Sequence, residues 1–246
     1  MFLLSALPVA IRMVLLDSSS PSLTSCIAGI RSLQRDNHLS GGRLKASEAA
    51  EQGFVTLQHE ERWLYELAAI APQAVALGEN PGTAEVVGYS LSASPFALRR
   101  RSTSRELCTI YEPFFAMIES LQWRGATLTE RDYVLGGQCC VARSFRRQGL
   151  MTALYDAQAA ALAQKGVSAI ATAIDLANEP SVRAHMAAGF VEIGRFDYSL
   201  RPSEADDGAA DDSPPRREGG DSRDDSPAES KEKQKGWSLV LRPIDA

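Results

Sequence analysis

A basic turn followed by a glycine lies past the middle of the sequence and has the composition of an anion-binding site. Arg143, Arg146 and Arg147 follow an apolar run, and Gly149 then precedes a stretch with helical periodicity. N–H groups at the start of a helix lack partners and carry the positive end of the helix dipole, so they attract anions. Glycine allows close approach of a phosphate, and guanidinium groups add charge. The run predicts a phosphate or anion site, and the alternative is a basic turn that only leads into a helix.

The remaining composition argues against several other classes of site. Neither the P-loop pattern nor GxGxxG occurs, so nucleoside triphosphates and dinucleotides are disfavoured. The four cysteines show no CxxC spacing and no matching histidine pairs, so we expect reduced thiols and no metal site. A net charge of -5 gives no basic surface for nucleic acid or an anionic membrane. We therefore expect a cytoplasmic protein, and we interpret the apolar start, residues 1–16, as an extension into a first strand and not as a signal peptide.

Hydrophobic periodicity gives the elements that must position the turn. Strands are predicted at 10–16, 73–77, 85–92, 133–142, 167–174, 190–200 and 237–242. Helices are predicted at 22–34, 60–70, 105–121, from about 150 to 165 and from 178 to 188. Pro113 is expected to divide the third helix into two short ones. The order in the second half predicts a parallel central strand pair with a crossover helix, followed by an antiparallel hairpin.

Residues 201–235 differ sharply from the rest of the chain. They contain eleven Asp or Glu and seven Lys or Arg, with almost no large apolar side chain. Such a stretch cannot bury enough surface to offset its ordering entropy. Because a strand-like run follows, we predict a disordered acidic insertion between the last two paired strands, within a single domain that spans 1–246. A docking role for this insertion is the alternative.

Two motifs resemble those of the GNAT superfamily of acyl-CoA-dependent N-acetyltransferases. Residues 146–151, Arg-Arg-Gln-Gly-Leu-Met, are similar to its pyrophosphate motif, although Met151 stands where glycine or alanine is usual. The family's second signature resembles Asn178, Ser181, His185, Gly189 and Phe190, with His185 in place of the usual tyrosine. The resemblance covers about 10–200 and the final strand, and is clearest over 133–190. It implies an α/β (α+β) fold with a mixed, mostly antiparallel twisted sheet, a splayed central parallel strand pair and flanking helices.

The resemblance also implies a set of site residues. The residues expected to bind acetyl-CoA are Cys139, Cys140, Val141, Arg146, Arg147, Gln148, Gly149, Leu150, Met151, Thr152 and Asn178. His185 is expected to donate a proton to the departing thiolate, and the alternative is a histidine packed between sheet and helix. Glu112 is a candidate base for the amine, as is water. A nucleophilic cysteine is a further alternative, but no base partner for it is visible.

The predicted function is transfer of an acetyl group from acetyl-CoA to an amine on a small molecule or a protein, by direct attack. The departures at 151 and 185 leave a second hypothesis open, a non-catalytic acetyl-CoA sensor with the same fold. A third is an interaction protein that works through its acidic insertion. The expected assembly is a monomer or a homodimer, with no metal, nucleic-acid or membrane partner.

Overall fold

Apolar strands build a seven-stranded sheet in the computed structural model, which describes residues 9–38, 53–80, 83–196 and 236–244. The strands are β1 (Ala10–Leu16), β2 (Gln73–Asn80), β3 (Thr83–Ala93), β4 (Gln122–Trp123), β5 (Ala126–Thr127), β6 (Tyr133–Val141), β7 (Ala169–Asp175), β8 (Val191–Phe196) and β9 (Trp237–Pro243). The order in the sheet is β1-β2-β3-β6-β7-β9-β8, and β4 and β5 form a separate small hairpin. All strand pairs are antiparallel except β6 with β7. The predicted fold class is confirmed.

Helices cover both faces of the sheet. They are α1 (Leu23–Asn37), α2 (Glu61–Ile70), α3 (Pro95–Arg101), α4 (Arg105–Glu119), α5 (Leu150–Ala163) and α6 (Glu179–Ala187). Alternate strand residues point to opposite faces, so Val75 and Leu77 pack in the larger core with α1, α2 and α4. Ala74 and Ala76 pack against α5 on the other face. No helix of the described residues is long and apolar enough to cross a membrane.

The parallel strands β6 and β7 separate after a short paired stretch. Residues 133–135 of β6 pair with 169–171 of β7, and the two strands then diverge. The other edges of both strands stay paired, β6 with β3 and β7 with β9. The divergence therefore opens a gap within a sheet that is otherwise continuous.

The prediction that Pro113 divides its helix is wrong, because α4 is one continuous helix of 15 residues. Ser104 caps its start by accepting a hydrogen bond from the N–H of Leu107 at 3.2 Å. Buried side chains lie on both sides of the proline, with Tyr111 before it and Phe115 after it. Packing of both halves against the same core offsets the hydrogen bond that proline cannot donate.

Replacing Pro113 with alanine is expected to stabilise the protein by about 2 kcal/mol. An interior proline costs a helix about 3 kcal/mol relative to alanine, and the greater freedom of the unfolded chain offsets about 1 kcal/mol of the gain. Equilibrium denaturation by urea would measure the difference. Phe114→Ala, at the next position, serves as a comparison because it removes packing without changing the backbone. An unchanged or lower midpoint for Pro113→Ala would contradict this account of α4.

The acidic insertion predicted at 201–235 lies outside the described residues, as do 1–8 and 39–52. The strands on either side of it are described and pair with each other, with Phe196 opposite Trp237. The insertion and the single-domain organisation over 1–246 stay predictions.

Candidate active site

A cleft opens where β6 and β7 diverge. It has a volume of about 920 Å³ and runs past the end of β6, the basic turn and the first turn of α5. A smaller cavity of about 140 Å³ continues from it toward α4. The two spaces share part of their lining, including Phe54, Cys139, Asn178 and His185. The volumes suit an extended ligand in the cleft and a small group in the cavity.

The basic turn and the start of α5 form the proposed anion-binding end of the cleft. Gly149 is the N-cap of α5 and has φ 76°, and Arg147 has φ 61°, so the backbone passes twice through the left-handed region. Gly149 has no side chain that caps the first N–H groups of the helix, which stay available for a ligand. A Cβ built on Gly149 would meet no atom within 4 Å, so the space in front of it is open. A diphosphate fits this arrangement of amides and guanidinium groups.

The structure brings the predicted cofactor-binding residues together. All of them line the cleft except Gln148, whose side-chain amide donates to the carbonyl oxygen of Ser144 at 3.0 Å. Arg143 also lines the cleft. Met151 packs partly against the core beneath α5, so its side chain does not block the open space at Gly149.

Arg146 connects the basic turn to α1. Its Nε donates to the carbonyl oxygen of Val141 at 2.9 Å, and Nη2 donates to Oδ1 of Asn37 at 2.6 Å. The Asn37 amide in turn donates to the carbonyl oxygen of Leu33 within α1. The guanidinium group therefore holds the turn in place, in addition to supplying charge at the cleft.

Residues 53–57 cross the cleft between α1 and α6, and no local pattern in the sequence predicted this. The Asn178 side chain accepts from the N–H of Ser181 and donates to the carbonyl oxygen of Phe54 at 3.0 Å. Asn178 is thus the N-cap of α6 and also an anchor for the crossing segment. At the other side, the N–H of Val55 donates to the carbonyl oxygen of Asn37.

His185 lines both spaces, but its hydrogen bonds leave it no proton to donate there. Its Nδ1 lies 2.8 Å from the carbonyl oxygen of Ser181, which only accepts, so Nδ1 carries the proton. Nε2 then accepts from the Tyr155 hydroxyl at 3.0 Å. Burial lowers the pKa of His185 to about 4, so the ring is neutral near pH 7. This geometry favours the packed histidine over the proton donor that the sequence suggested.

The two adjacent cysteines point to opposite faces of β6, as their positions on one strand require. Cys139 packs against the side of α5, and Cys140 is buried in the larger core. Burial raises the pKa of both thiols, that of Cys140 to about 11. Neutral thiols are poor nucleophiles, so the site does not favour a covalent acyl-cysteine.

Glu112 is not among the residues that line the cleft or the cavity. Its carboxylate accepts from Nη2 of Arg99 at 2.6 Å and from Nε at 3.2 Å. Arg99 also binds Glu119 and Glu130, so the cluster connects α3, α4 and the loop before β6. The structure therefore places the candidate base in a surface ion-pair network away from the site.

A bulge in β6 lies at the inner end of the cleft. The register between β3 and β6 shifts so that Leu91 faces Gln138 and Ser92 faces Gly136, which leaves Gly137 as the extra residue. A Cβ on Gly137 would lie 2.7 Å from the hydroxyl oxygen of Tyr111. Glycine is therefore required here, because a side chain would collide with the tyrosine that α4 brings to the cavity.

Buried polar side chains behind Tyr111 complete the site, and the sequence alone did not identify them. The Tyr111 hydroxyl lies 2.9 Å from Nε2 of His59, and Gln34 contacts both His59 and Gln138. Burial lowers the pKa of His59 to about 4. The signal that the sequence did contain was a histidine directly before the helix predicted at 60–70, one of three histidines in the chain.

Comparisons with known proteins give a family match for part of the chain. The model of the Acetyltransferase (GNAT) family matches residues 114–190, which include the basic turn, α5 and α6. No curated protein matches the chain.

Solved structures resemble the whole chain at low sequence identity. A chain of the NatC complex bound to Gag peptide and CoA superposes with a TM-score of 0.50, at 10% identity, over 96% of this chain and 99% of that one. The ribosomal-protein-S18-alanine N-acetyltransferase from Escherichia coli gives 0.49, at 10% identity, over 96% of each chain. A phosphinothricin acetyltransferase from Sinorhizobium meliloti in complex with AcCoA gives 0.49, at 15% identity, over 97% and 89%. The NatC likeness shows a shared fold.

Proposed function

Because residues 114–190 match the model of the Acetyltransferase (GNAT) family, we propose that this protein transfers an acetyl group from acetyl-CoA to an amine. The observation that carries the proposal is the anion-binding end of the cleft. There, two left-handed residues and an N-cap without a side chain present the amides of α5 to the cleft. Arg143, Arg146 and Arg147 line the same end, which suits the diphosphate of a coenzyme.

The splay between β6 and β7 suits the pantetheine arm of acetyl-CoA. Beyond residue 135 the edge of β6 that faces the gap is not paired with β7. An amide-containing chain pairs with such an edge as an added strand would. The thioester would then lie near the bulge at Gly137, where the cleft meets the cavity.

The acceptor amine is proposed to enter from the smaller cavity. Its lining is largely apolar and aromatic, with Phe54, Phe114 and Trp237 among its residues. Asp175, at the end of β7, is the carboxylate of this lining and attracts a cationic amine. Attack is direct, since the neighbouring thiols are protonated, and the amine loses its proton to solvent because Glu112 is bound to Arg99.

A coenzyme-release assay tests the proposal. Purified protein with acetyl-CoA is expected to release thiol in the presence of at least one class of amine, such as peptides with a free N-terminus, free amino acids or polyamines. Both peptide and small-molecule amines belong in the panel, because the predicted acceptor is an amine on a small molecule or a protein. Calorimetry with acetyl-CoA and with dephospho-CoA would measure binding independently of turnover.

The two measurements separate the enzyme from the sensor hypothesis. Tight binding of acetyl-CoA without thiol release across the panel would favour a non-catalytic sensor, which the unusual His185 supports. Failure to bind any CoA species would contradict both hypotheses.

A further inference from the structure

We propose that Tyr111 is the catalytic proton donor to the departing CoA thiolate and that His59 is the positioning residue that orients its hydroxyl. This inference rests on the proposed acetyl transfer. It moves the donor role from α6, where the sequence suggested His185, to α4. The hydrogen bonds of the buried network behind the cavity determine which of its atoms carry protons.

Two backbone groups fix the orientation of that network. Oε1 of Gln34 accepts from the N–H of His59 at 3.0 Å, so the other atom of this amide is the donor nitrogen. That nitrogen lies 2.9 Å from Nδ1 of His59 and donates to Oε1 of Gln138 at 2.9 Å. Gln138 is oriented in the same way, because its Nε2 donates to the carbonyl oxygen of Leu57. Nδ1 of His59 must therefore accept.

The tautomer of His59 then determines the direction of the next hydrogen bond. With Nδ1 accepting, the ring proton lies on Nε2, which donates to the Tyr111 hydroxyl at 2.9 Å. The hydroxyl oxygen is thus an acceptor toward His59, and its own proton needs another partner. Tyr111 is buried, with an exposed fraction of 3%. Within the described part of the chain no hydrogen bond from this O–H is found. The oxygen lies beside Gly137 at the bulge, and Tyr111 lines the cavity.

The second tyrosine of the cavity has the opposite arrangement. Tyr155 is also buried and lines the same cavity, but its O–H donates to the unprotonated Nε2 of His185. The Tyr155 proton is therefore held in its hydrogen bond to His185. No N–H group of His185 faces the Tyr155 oxygen, so none would stabilise a phenolate there. The Tyr111 proton has no acceptor among the described residues, and an N–H donor lies behind the oxygen. Burial raises the pKa of this hydroxyl above its ordinary value, and the N–H of His59 offsets that effect by keeping the phenolate hydrogen-bonded once the proton has passed to the thiolate.

The proposed step balances as follows. The amine nitrogen forms a bond to the acetyl carbonyl carbon, the carbon–sulfur bond breaks, and its electron pair stays on sulfur. The Tyr111 proton passes to sulfur, while the N–H of His59 stabilises the phenolate. The proton that the amine nitrogen loses goes to solvent, and solvent returns one to Tyr111. The net products are the acetylated amine and CoA thiol.

Tyr111→Phe and Tyr155→Phe form a matched pair, because each removes one buried hydroxyl from the same cavity. Tyr111→Phe is expected to lower kcat by about 100-fold, the lower range for loss of a positioned acid, with KM for acetyl-CoA changed less than about 2-fold. Tyr155→Phe is expected to change kcat by less than about 3-fold. Thermal unfolding and acetyl-CoA affinity verify that both variants are folded. Equal effects of the two variants, or a larger effect of Tyr155→Phe, would overturn the assignment.

A second measurement needs no acceptor. The thiol of bound CoA is titrated through the ultraviolet absorbance of its thiolate, in wild type, Tyr111→Phe, Tyr155→Phe and His59→Phe. A donor hydrogen bond stabilises the thiolate, so the thiol pKa is expected to rise by about one unit in Tyr111→Phe, by less in His59→Phe and not in Tyr155→Phe. An unchanged pKa in Tyr111→Phe would refute the inference. A wild type that binds CoA but shows no turnover with any amine would instead refute the proposed function.

Discussion

Gly149→Asp is expected to weaken binding of acetyl-CoA by about 100-fold or more. A residue other than glycine at φ 76° costs about 1–2 kcal/mol. A carboxylate at the N-terminus of α5 also repels the diphosphate and competes for the same amides, at a similar cost. Together these penalties amount to about 3 kcal/mol, and each 1.4 kcal/mol is a tenfold change in affinity. Calorimetry at fixed ionic strength measures the loss.

Gly149→Asn is the matched control for this substitution. Asparagine has nearly the same shape as aspartate, carries a similar penalty in the left-handed region and has no charge. It is therefore expected to lose less than about 10-fold in affinity, and the difference between the two variants reports the charge. That difference should shrink as salt is added, because added ions screen the repulsion. Wild-type affinity in Gly149→Asp would mean that the diphosphate does not lie at the start of α5.

Loss of stability between pH 6.5 and pH 4 is the second large effect that we expect. Burial lowers the pKa of both His59 and His185 to about 4 in the folded protein, while the unfolded chain binds their protons near pH 6.5. Above pH 6.5 neither state binds these protons and there is no penalty. As the pH falls toward 4, the unfolded state takes them up first, and the penalty grows to about 3 kcal/mol for each histidine. Below pH 4 it no longer increases.

Denaturation midpoints measured at several pH values test this expectation. The double variant His59→Gln/His185→Gln has no titrating ring at either position and should show a much smaller slope between pH 6.5 and 4. Carboxylates whose pKa is lowered by hydrogen bonds, such as Asp17, Glu106 and Glu192, lose their contribution as the pH falls through their ordinary values of 3.8 and 4.5, so they overlap only the lower end of this window. An equal slope in wild type and double variant would show that the rings take up protons in the folded state.

The grouping of the basic turn at one end of the cleft could be predicted from the sequence because its residues are contiguous. Arg143 to Gly149 form a single turn, and the residue types in that turn are those expected of a site that binds an anion. The strands were predictable for a similar reason, since alternation of apolar and polar residues over a few positions indicates a strand with one buried face. Local reasoning failed at Pro113, where packing from distant strands outweighs an intrinsic preference, and it did not predict α3 or the β4–β5 hairpin.

The acceptor side could not be predicted, because it is assembled across long separations in the chain. Gln34, His59, Tyr111 and Gln138 lie on four segments, and no spacing between them signals contact. The same limit applies to Glu112. Its sequence neighbours Tyr111 and Phe114 line the cavity, but the helical periodicity turns Glu112 outward to Arg99. Two adjacent residues of one helix therefore lie in different surroundings: Tyr111 lines the cavity, and Glu112 forms an ion pair at the surface.

The gap between β6 and β7 has a consequence for the order of events in one turnover. In a pocket with room for one substrate, the first substrate would have to leave before the second could bind. The protein would then have to carry the acetyl group between the two binding events. Here the cleft and the cavity adjoin within the same sheet, so the proposed donor and acceptor have separate binding sites and can be bound at the same time. The proposed transfer would therefore proceed through a ternary complex, without an acetylated form of the protein.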